Sequence, residues 1–299
     1  MSIIVLGTVA LDTVKTPFGI RKRMLGGSAA HFSMSCRLFT SVNLVAIIGE
    51  DFPAEHIDFL RRKGVILTSL IKGNGRTFHW EGEYKGDLNT ALTLNTELGV
   101  LSAFRPTVSE EQRKIKHIFL ANVDPDIQRH LLLRMRSPSL VGLDSMNYWI
   151  HHKLRPLKRL LKMVDIYVAN DQEAKSLSGE DNLIRAARCL RFYGPKMVLV
   201  KKGEHGVLFC SDKFIFSIPA YPTEKVVDPT GAGDTFAGAF MGYLSQKGKI
   251  NADTIRRAIA YGTAAASFNI EDFGLKRTSR LTLKDLRGRM LRLRECVLF

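Results

Sequence analysis

Asp228-Pro229-Thr230-Gly231-Ala232-Gly233-Asp234, continued by Thr235-Phe236-Ala237-Gly238-Ala239-Phe240-Met241, is the stretch from which the rest of the chain can be read. Phe236, Phe240 and Leu244 recur at i, i+4 and i+8 with Ala237 and Met241 beside them, which predicts a buried helix starting at or near Gly233. Two glycines and an alanine just before it leave backbone N–H groups uncovered by side chains. A helix N-terminus with bare amides binds anions through its orphan donors and its dipole. An acid placed there would repel a phosphate if binding were its only task. It makes chemical sense if Asp234 accepts the proton of an attacking hydroxyl while the amides of Gly231, Ala232 and Gly233 neutralise charge on a transferring phosphoryl group. The competing reading is that Asp234 only caps the helix, a common role for aspartate.

Outward from this loop, short apolar or β-branched runs at residues 3–6, 42–48, 118–121, 140–143, 166–169 and 197–200 are mostly separated by segments of helical period. Such alternation predicts a mostly parallel sheet with helices on both faces. Several runs end in Gly7, Asn122, Asp144, Asn170 or Lys201, and the carboxyl ends of strands in an open α/β sheet line its ligand crevice. Between Gly73 and Gly99 the period changes to two. Phe78, Trp80 and Tyr84 alternate with His79, Glu81 and Glu83, and Leu92 and Leu94 with Thr93 and Asn95. We expect a small antiparallel flap over the crevice, formed by residues 73–99 and 13–25, on a core of residues 1–12, 26–72 and 100–299. An edge hairpin of the main sheet is the alternative.

Bulk properties narrow the class. With 299 residues, 45% hydrophobic and 24% charged, the chain can bury a sizeable core. No run approaches the roughly 18 apolar residues of a membrane span. Ile3-Ile4-Val5-Leu6 meets Gly7 too soon for a signal peptide, so a soluble, cytoplasmic protein with no membrane partner is expected. Cys36, Cys189, Cys210 and Cys296 are scattered and suggest neither a zinc site nor a disulfide framework. The net charge of +15 admits nucleic acid, an acidic membrane or anionic small molecules as partners. Much of it lies in Lys276, Arg277, Arg280, Lys284, Arg287, Arg289, Arg292 and Arg294, where Leu283, Leu286, Met290 and Leu293 keep helical spacing. A docked amphipathic helix with a solvated basic face accounts for these and disfavours nucleic acid. His151-His152 is expected at the surface. The sequence contains no G-x-x-x-x-G-K-[ST], no G-x-G-x-x-G after a strand and no H-E-x-x-H, which disfavours a P-loop NTPase, a dinucleotide dehydrogenase and a zincin.

Residues 228–234 followed by Thr235-Phe236 resemble the C-terminal signature of the ribokinase, or PfkB, carbohydrate kinases, in which the last aspartate is the catalytic base. Gly26-Gly27-Ser28-Ala29-Ala30 resembles that family's N-terminal glycine pair, where backbone approaches the sugar, and Asp12 matches its substrate-binding aspartate. Gly49-Glu50-Asp51 with Leu60 and Gly64 fits the next block, so the likeness covers nearly the whole length. It implies a ribokinase-like three-layer α/β sandwich with a mostly parallel central sheet and a small β-sheet lid. It also implies ATP and Mg2+ as cofactors and phosphorylation of a hydroxyl of a small sugar or sugar derivative.

Further roles follow from the same resemblance. Asn170-Asp171-Gln172-Glu173 matches the Asn-x-x-Glu motif that places magnesium and phosphate through water, with Glu173 as a helix first-turn acid the competing reading. Lys201-Lys202-Gly203-Glu204-His205-Gly206 resembles the turn that meets the nucleotide, with Lys201 and Gly203 as its contacts, against a solvated surface turn. His31 stands where many members carry asparagine; it either donates to the substrate or is structural. Asp228 and Thr230 match positions that hold a monovalent cation in some members, which leaves K+ activation open. Phe78, Trp80 and Tyr84 could stack on a base, so a nucleoside kinase is the alternative, and a non-catalytic basic nucleic-acid-binding protein is a more remote one. Lid strands in relatives sometimes pair between subunits, so a homodimer through the lid is expected as one arrangement.

Overall fold

In the computed structural model, which describes residues 1–86 and 88–298, the alternating pattern folds into two sheets. The strands in chain order are β1 (Ser2–Leu6), β2 (Ala10–Thr16), β3 (Gly19–Gly26), β4 (Ser41–Ile48), β5 (Ile66–Lys72), β6 (His79–Tyr84) and β7 (Ala91–Glu97). They continue with β8 (His117–Leu120), β9 (Leu140–Asp144), β10 (Ile166–Asn170), β11 (Met197–Lys201), β12 (Val207–Ser211) and β13 (Ile215–Ile218). Among the described residues the large sheet runs β13-β12-β11-β10-β9-β8-β1-β4-β5. From β11 to β5 neighbouring strands are parallel, while β12 and β13 add an antiparallel edge.

Apolarity on both faces of the strands explains the layering. Ile3 and Val5 pack into one core, Ile4 and Leu6 into a second on the opposite face, as alternating side chains of a doubly covered strand must. Helices Ser28–Cys36, Ala232–Ser245, Ala252–Asn269 and Leu283–Glu295 contribute to the first core. Pro125–Leu132, Leu154–Leu161 and Leu183–Phe192 contribute to the second. The result is a three-layer α/β sandwich. One contact in it positions the site: a Cβ on Gly238 would lie 2.2 Å from the Phe32 carbonyl oxygen, so glycine alone lets the helices after the two glycine motifs pack this closely.

Sequence periodicity located β1, β4, β8, β9, β10 and β11 but not β5, β12 or β13. Along β5 only Ser69 is fully buried, and β13 is exposed at alternate residues, so these edge strands carry little apolar signal. The small sheet has the order β3-β2-β6-β7, with β2 and β6 parallel, so it is mixed rather than purely antiparallel. Asp51 ties it to the core by accepting from the Thr77 amide at 2.7 Å, the Thr77 hydroxyl at 2.8 Å and Arg23 Nη2 at 2.7 Å. The basic C-terminal helix docks through Leu286 and Leu293 as its spacing predicts. Arg289 departs from the solvated face: it is buried, pairs with Glu271 at 2.7 Å and lies 3.3 Å over the Phe268 ring. No helix among the described residues is long and apolar enough to cross a membrane.

Candidate active site

Helix Ala232–Ser245 begins one residue earlier than its spacing suggested, with Gly231 as its N-cap in the left-handed region at φ 72°. The Ala232 amide donates to the Pro229 carbonyl at 3.1 Å. The amides of Gly231, Gly233 and Asp234 have no internal acceptor among the described residues, so the bare donors include Asp234's own N–H, which sequence reasoning overlooked. The loop is braced from behind. Both Asp228 oxygens accept amides, from Thr230 at 2.9 Å and Gly274 at 3.0 Å, and the Asp234 side chain makes no capping bond to its own helix.

His31 is buried against this loop, and a Cβ on Gly231 would lie 2.2 Å from its ring. Its Nδ1–H donates to Asn269 Oδ1 at 3.0 Å, while Asn269 Nδ2 donates to the Thr230 carbonyl at 2.8 Å. Thr235 Oγ1 also donates to Asn269 Oδ1, at 2.9 Å. Burial lowers the His31 pKa although Asp228 opposes the shift, so the ring is neutral. Asn269, at the end of its helix, thus joins three elements at the site, and nothing in its sequence neighbourhood signalled it.

Four groups share a cleft of about 160 Å³: Asp144 and Lys201 from the ends of β9 and β11, Glu173 from the first turn of helix Asp171–Ser178 after β10, and Asp234 from the loop helix. Lys201 Nζ donates to Asp144 Oδ2 at 2.9 Å, and a Cβ on Gly233 would come within 2.7 Å of the same nitrogen. Burial works against the charge of Lys201, but Asp144, Glu173 and Asp234 hold its pKa above the ordinary value. Asp144 was legible as a strand-end residue facing the crevice, yet no role had been assigned to it. Glu173 and Asn170 cap each other: Asn170 Oδ1 accepts the Glu173 amide at 2.7 Å and Glu173 Oε2 accepts the Asn170 amide at 2.8 Å. Burial, then the charge of Asp144, pushes Glu173 up to about 8. The same two causes raise Asp234 to about 7, with Lys201 pulling the other way.

Asp12 lies beside the glycine pair. Its Oδ2 accepts the Gly27 amide at 3.1 Å and occupies the space that a side chain on Gly26 would need. Burial raises it to about 7 despite that bond, and Asp228 and Asp234 add to the shift. From the small sheet, Tyr84 reaches Thr230 Oγ1 at 3.3 Å, and Val14, Tyr84 and Leu88 pack with Phe273 of the core. Asn89 Nδ2 donates to Glu204 Oε1 at 3.0 Å beside Gly203. The small sheet therefore rests on both the loop at residues 228–234 and the turn at residues 201–206. Gly203 itself is exposed and lies outside the cleft that holds Lys201.

These raised carboxyls have a thermodynamic consequence. Asp12, Asp234 and Glu173 keep protons in the folded state that the unfolded chain releases near pH 4, so stability falls as pH rises towards about 7 to 8. Histidines with lowered pKa, including His31 and His117, act in the opposite sense but are spent above about pH 6.5. The nucleotide-free protein is therefore expected to melt at progressively lower temperature between about pH 6.5 and 8.5, with a shallower decline in Asp234→Asn. A flat or rising midpoint in calorimetry would contradict the protonated assignment.

The chain is similar to known proteins over nearly its whole length. The sequence profile of the pfkB family carbohydrate kinases matches residues 5–280. A cytidine kinase of Thermococcus kodakarensis is 32% identical over 253 residues, spanning 82% of this chain and 89% of its own length. A nucleoside kinase of Methanothermobacter thermautotrophicus is 25% identical across 85% of this chain and 80% of its own. The fold matches a putative ribokinase II from E. coli with a TM-score of 0.81 at 20% identity, covering 98% of this chain and 100% of that one. It also matches the Methanocaldococcus jannaschii nucleoside kinase with a TM-score of 0.79 at 20% identity, covering 97% and 98%.

Proposed function

The chain belongs to the pfkB family of carbohydrate kinases, and from that premise we propose that it transfers the γ-phosphoryl group of ATP to a hydroxyl of a small sugar or nucleoside. The observation that carries the reading is Asp234. It is a carboxylate without a capping bond, raised to about 7, on the first turn of a helix whose Gly233 and Asp234 amides are open and whose Gly233 meets the Lys201 ammonium. A base with a pKa near working pH is the efficient choice for proton removal.

In this reading Asp12 orients the acceptor beside the glycine pair, and Asp234 takes the proton of the attacking hydroxyl as the new O–P bond forms. The bond from the γ-phosphorus to its bridging oxygen breaks and ADP leaves. The Gly231 and Gly233 amides and Lys201 neutralise the equatorial oxygens, which is where such sites gain most of their rate. No cluster of three metal-ligating side chains occurs among the described residues. Asp144, and Glu173 once it has released its proton, would hold a largely hydrated magnesium, a mode in which one or two carboxylates suffice. Such an ion supplies charge neutralisation at the phosphates when bound. The small sheet acts as a lid that keeps water from competing as acceptor.

The nucleoside alternative has its own support in a relative, since the similar Thermococcus kodakarensis protein, 32% identical across 82% of this chain, is a cytidine kinase. Trp80 of the small sheet, packed beside the buried cluster of Val14, Tyr84, Leu88 and Phe273, can report binding under that sheet. Trp149→Phe leaves Trp80 as the only tryptophan of the two in the chain. Titrating that protein with cytidine, adenosine and ribose should then shift Trp80 emission with a nucleoside at concentrations at least about tenfold below those needed for ribose. The reverse order would assign the pocket to a free sugar.

A further inference from the structure

A second cleft lies away from the crevice. It has a volume of about 410 Å³ and is walled by the end of helix Leu183–Phe192 and the turn joining β12 to β13. Lys201 of β11 pairs with Val207 and Met197 with Ser211, so this turn sits at the end of β11 opposite the crevice. Arg188 and Arg191, three apart on one helix face, and Lys213 of the turn all line it, against the single carboxylate of Asp212.

Among the described residues these cations lack a carboxylate partner. Arg185 of the same helix pairs with Glu180 at 3.1 Å, whereas Arg188, Arg191 and Lys213 take part in no ion pair among the described residues. Both guanidinium groups converge on Cys210 at the end of β12, where they pull its thiol pKa down against the larger effect of burial. Arg191 is held in place by donating from Nε to the Lys196 carbonyl at 3.2 Å. Neighbouring like charges destabilise a helix face unless an anion joins them. The remaining wall is aromatic and aliphatic: Phe192, which is 89% exposed, with Phe214 and Ile215.

We propose that this cleft is a binding site for a phosphomonoester that carries a flat ring, a nucleoside monophosphate being the fitting class. Paired guanidinium forks match the phosphate dianion, Lys213 adds a point charge, and the Phe192 ring offers a face for stacking. The volume falls in the usual range of small-molecule sites, roughly 300 to 1,000 Å³. Single-stranded nucleic acid shares this chemistry but favours an extended groove to a bounded cleft.

Pyridoxal 5′-phosphate is a suitable probe because its aldehyde forms an imine with a nearby lysine, releasing water, and borohydride then fixes the adduct by reducing the C=N bond. Peptide mapping should find Lys213 modified at least about tenfold faster than the exposed Lys22 and Lys72, and AMP should protect it far better than adenosine. In the Arg188→Gln/Arg191→Gln protein the excess rate should vanish while melting temperature and ATP turnover stay unchanged. Modification of Lys213 at the rate of the other exposed lysines, or an excess that survives the double substitution, would overturn the site. Adducts at Lys201 appear in a separate peptide and report only on the crevice.

Discussion

Asp234→Asn should lower kcat by at least about a hundredfold, the loss general-base removal typically brings, while nucleotide affinity stays nearly unchanged. The substitution keeps the size and the helix position of the side chain and removes only its ability to take a proton. In the parent enzyme, kcat/KM should fall as pH drops through about 7, because Asp234 must be ionised to act and burial with the Asp144 charge holds its pKa there. The two effects belong together: the residual activity of the variant should lose that acid limb. Should the variant keep most of its turnover, the proton must go elsewhere, and Asp144 would be the next candidate. Loss of nucleotide binding with little loss of turnover per bound nucleotide would instead make Asp234 a helix cap, the competing reading of the sequence.

Gly231→Ala is expected to damage both fold and activity. Its φ of 72° strains any residue with a Cβ, by roughly 1–2 kcal/mol. The added methyl would also fall 2.2 Å from the His31 ring, which cannot retreat while Asn269 holds it. Overpacking of this kind costs about 1–3 kcal/mol more. The loop amides would move off their target, and a displaced oxyanion donor costs about 10²–10³ in kcat. The cause can be separated by His31→Ala/Gly231→Ala, in which the clash is gone while the backbone strain and the loss of the buried His31 remain. The double variant should lose less stability than the sum of the two single losses. Additive losses would mean that His31 does not brace the loop, and wild-type turnover in Gly231→Ala would deny the loop its anion-binding role.

What the sequence disclosed follows from where its signals lie. The loop at residues 228–234 was readable because bare glycines before a strongly apolar helix have few other uses, and the fully buried parallel strands announce themselves as short apolar runs. The edge strands β5 and β13 lack that contrast, and β12, though apolar and buried at residues 207–210, was passed over. Interactions across the chain left no local trace. Asn269 reaches His31 over 238 positions, and Tyr84 reaches Thr230 over 146. Arg289 looked like one more surface cation because spacing cannot tell that Glu271 and Phe268 wait beside it. Asp144 was visible as a strand-end acid, but its partner Lys201 lies 57 residues on, and only the parallel pairing through β10 brings them together.

The central claim, phosphoryl transfer from ATP to an acceptor hydroxyl through Asp234, is tested most directly by ADP release from Mg-ATP with a panel of pentoses, hexoses, their phosphates and nucleosides. A hydroxyl-bearing acceptor, foremost a nucleoside, should stimulate release in the parent protein and leave Asp234→Asn at its basal rate. Stimulation of equal size in both proteins, or binding of an acceptor that shifts Trp80 emission without any ADP release, would contradict it.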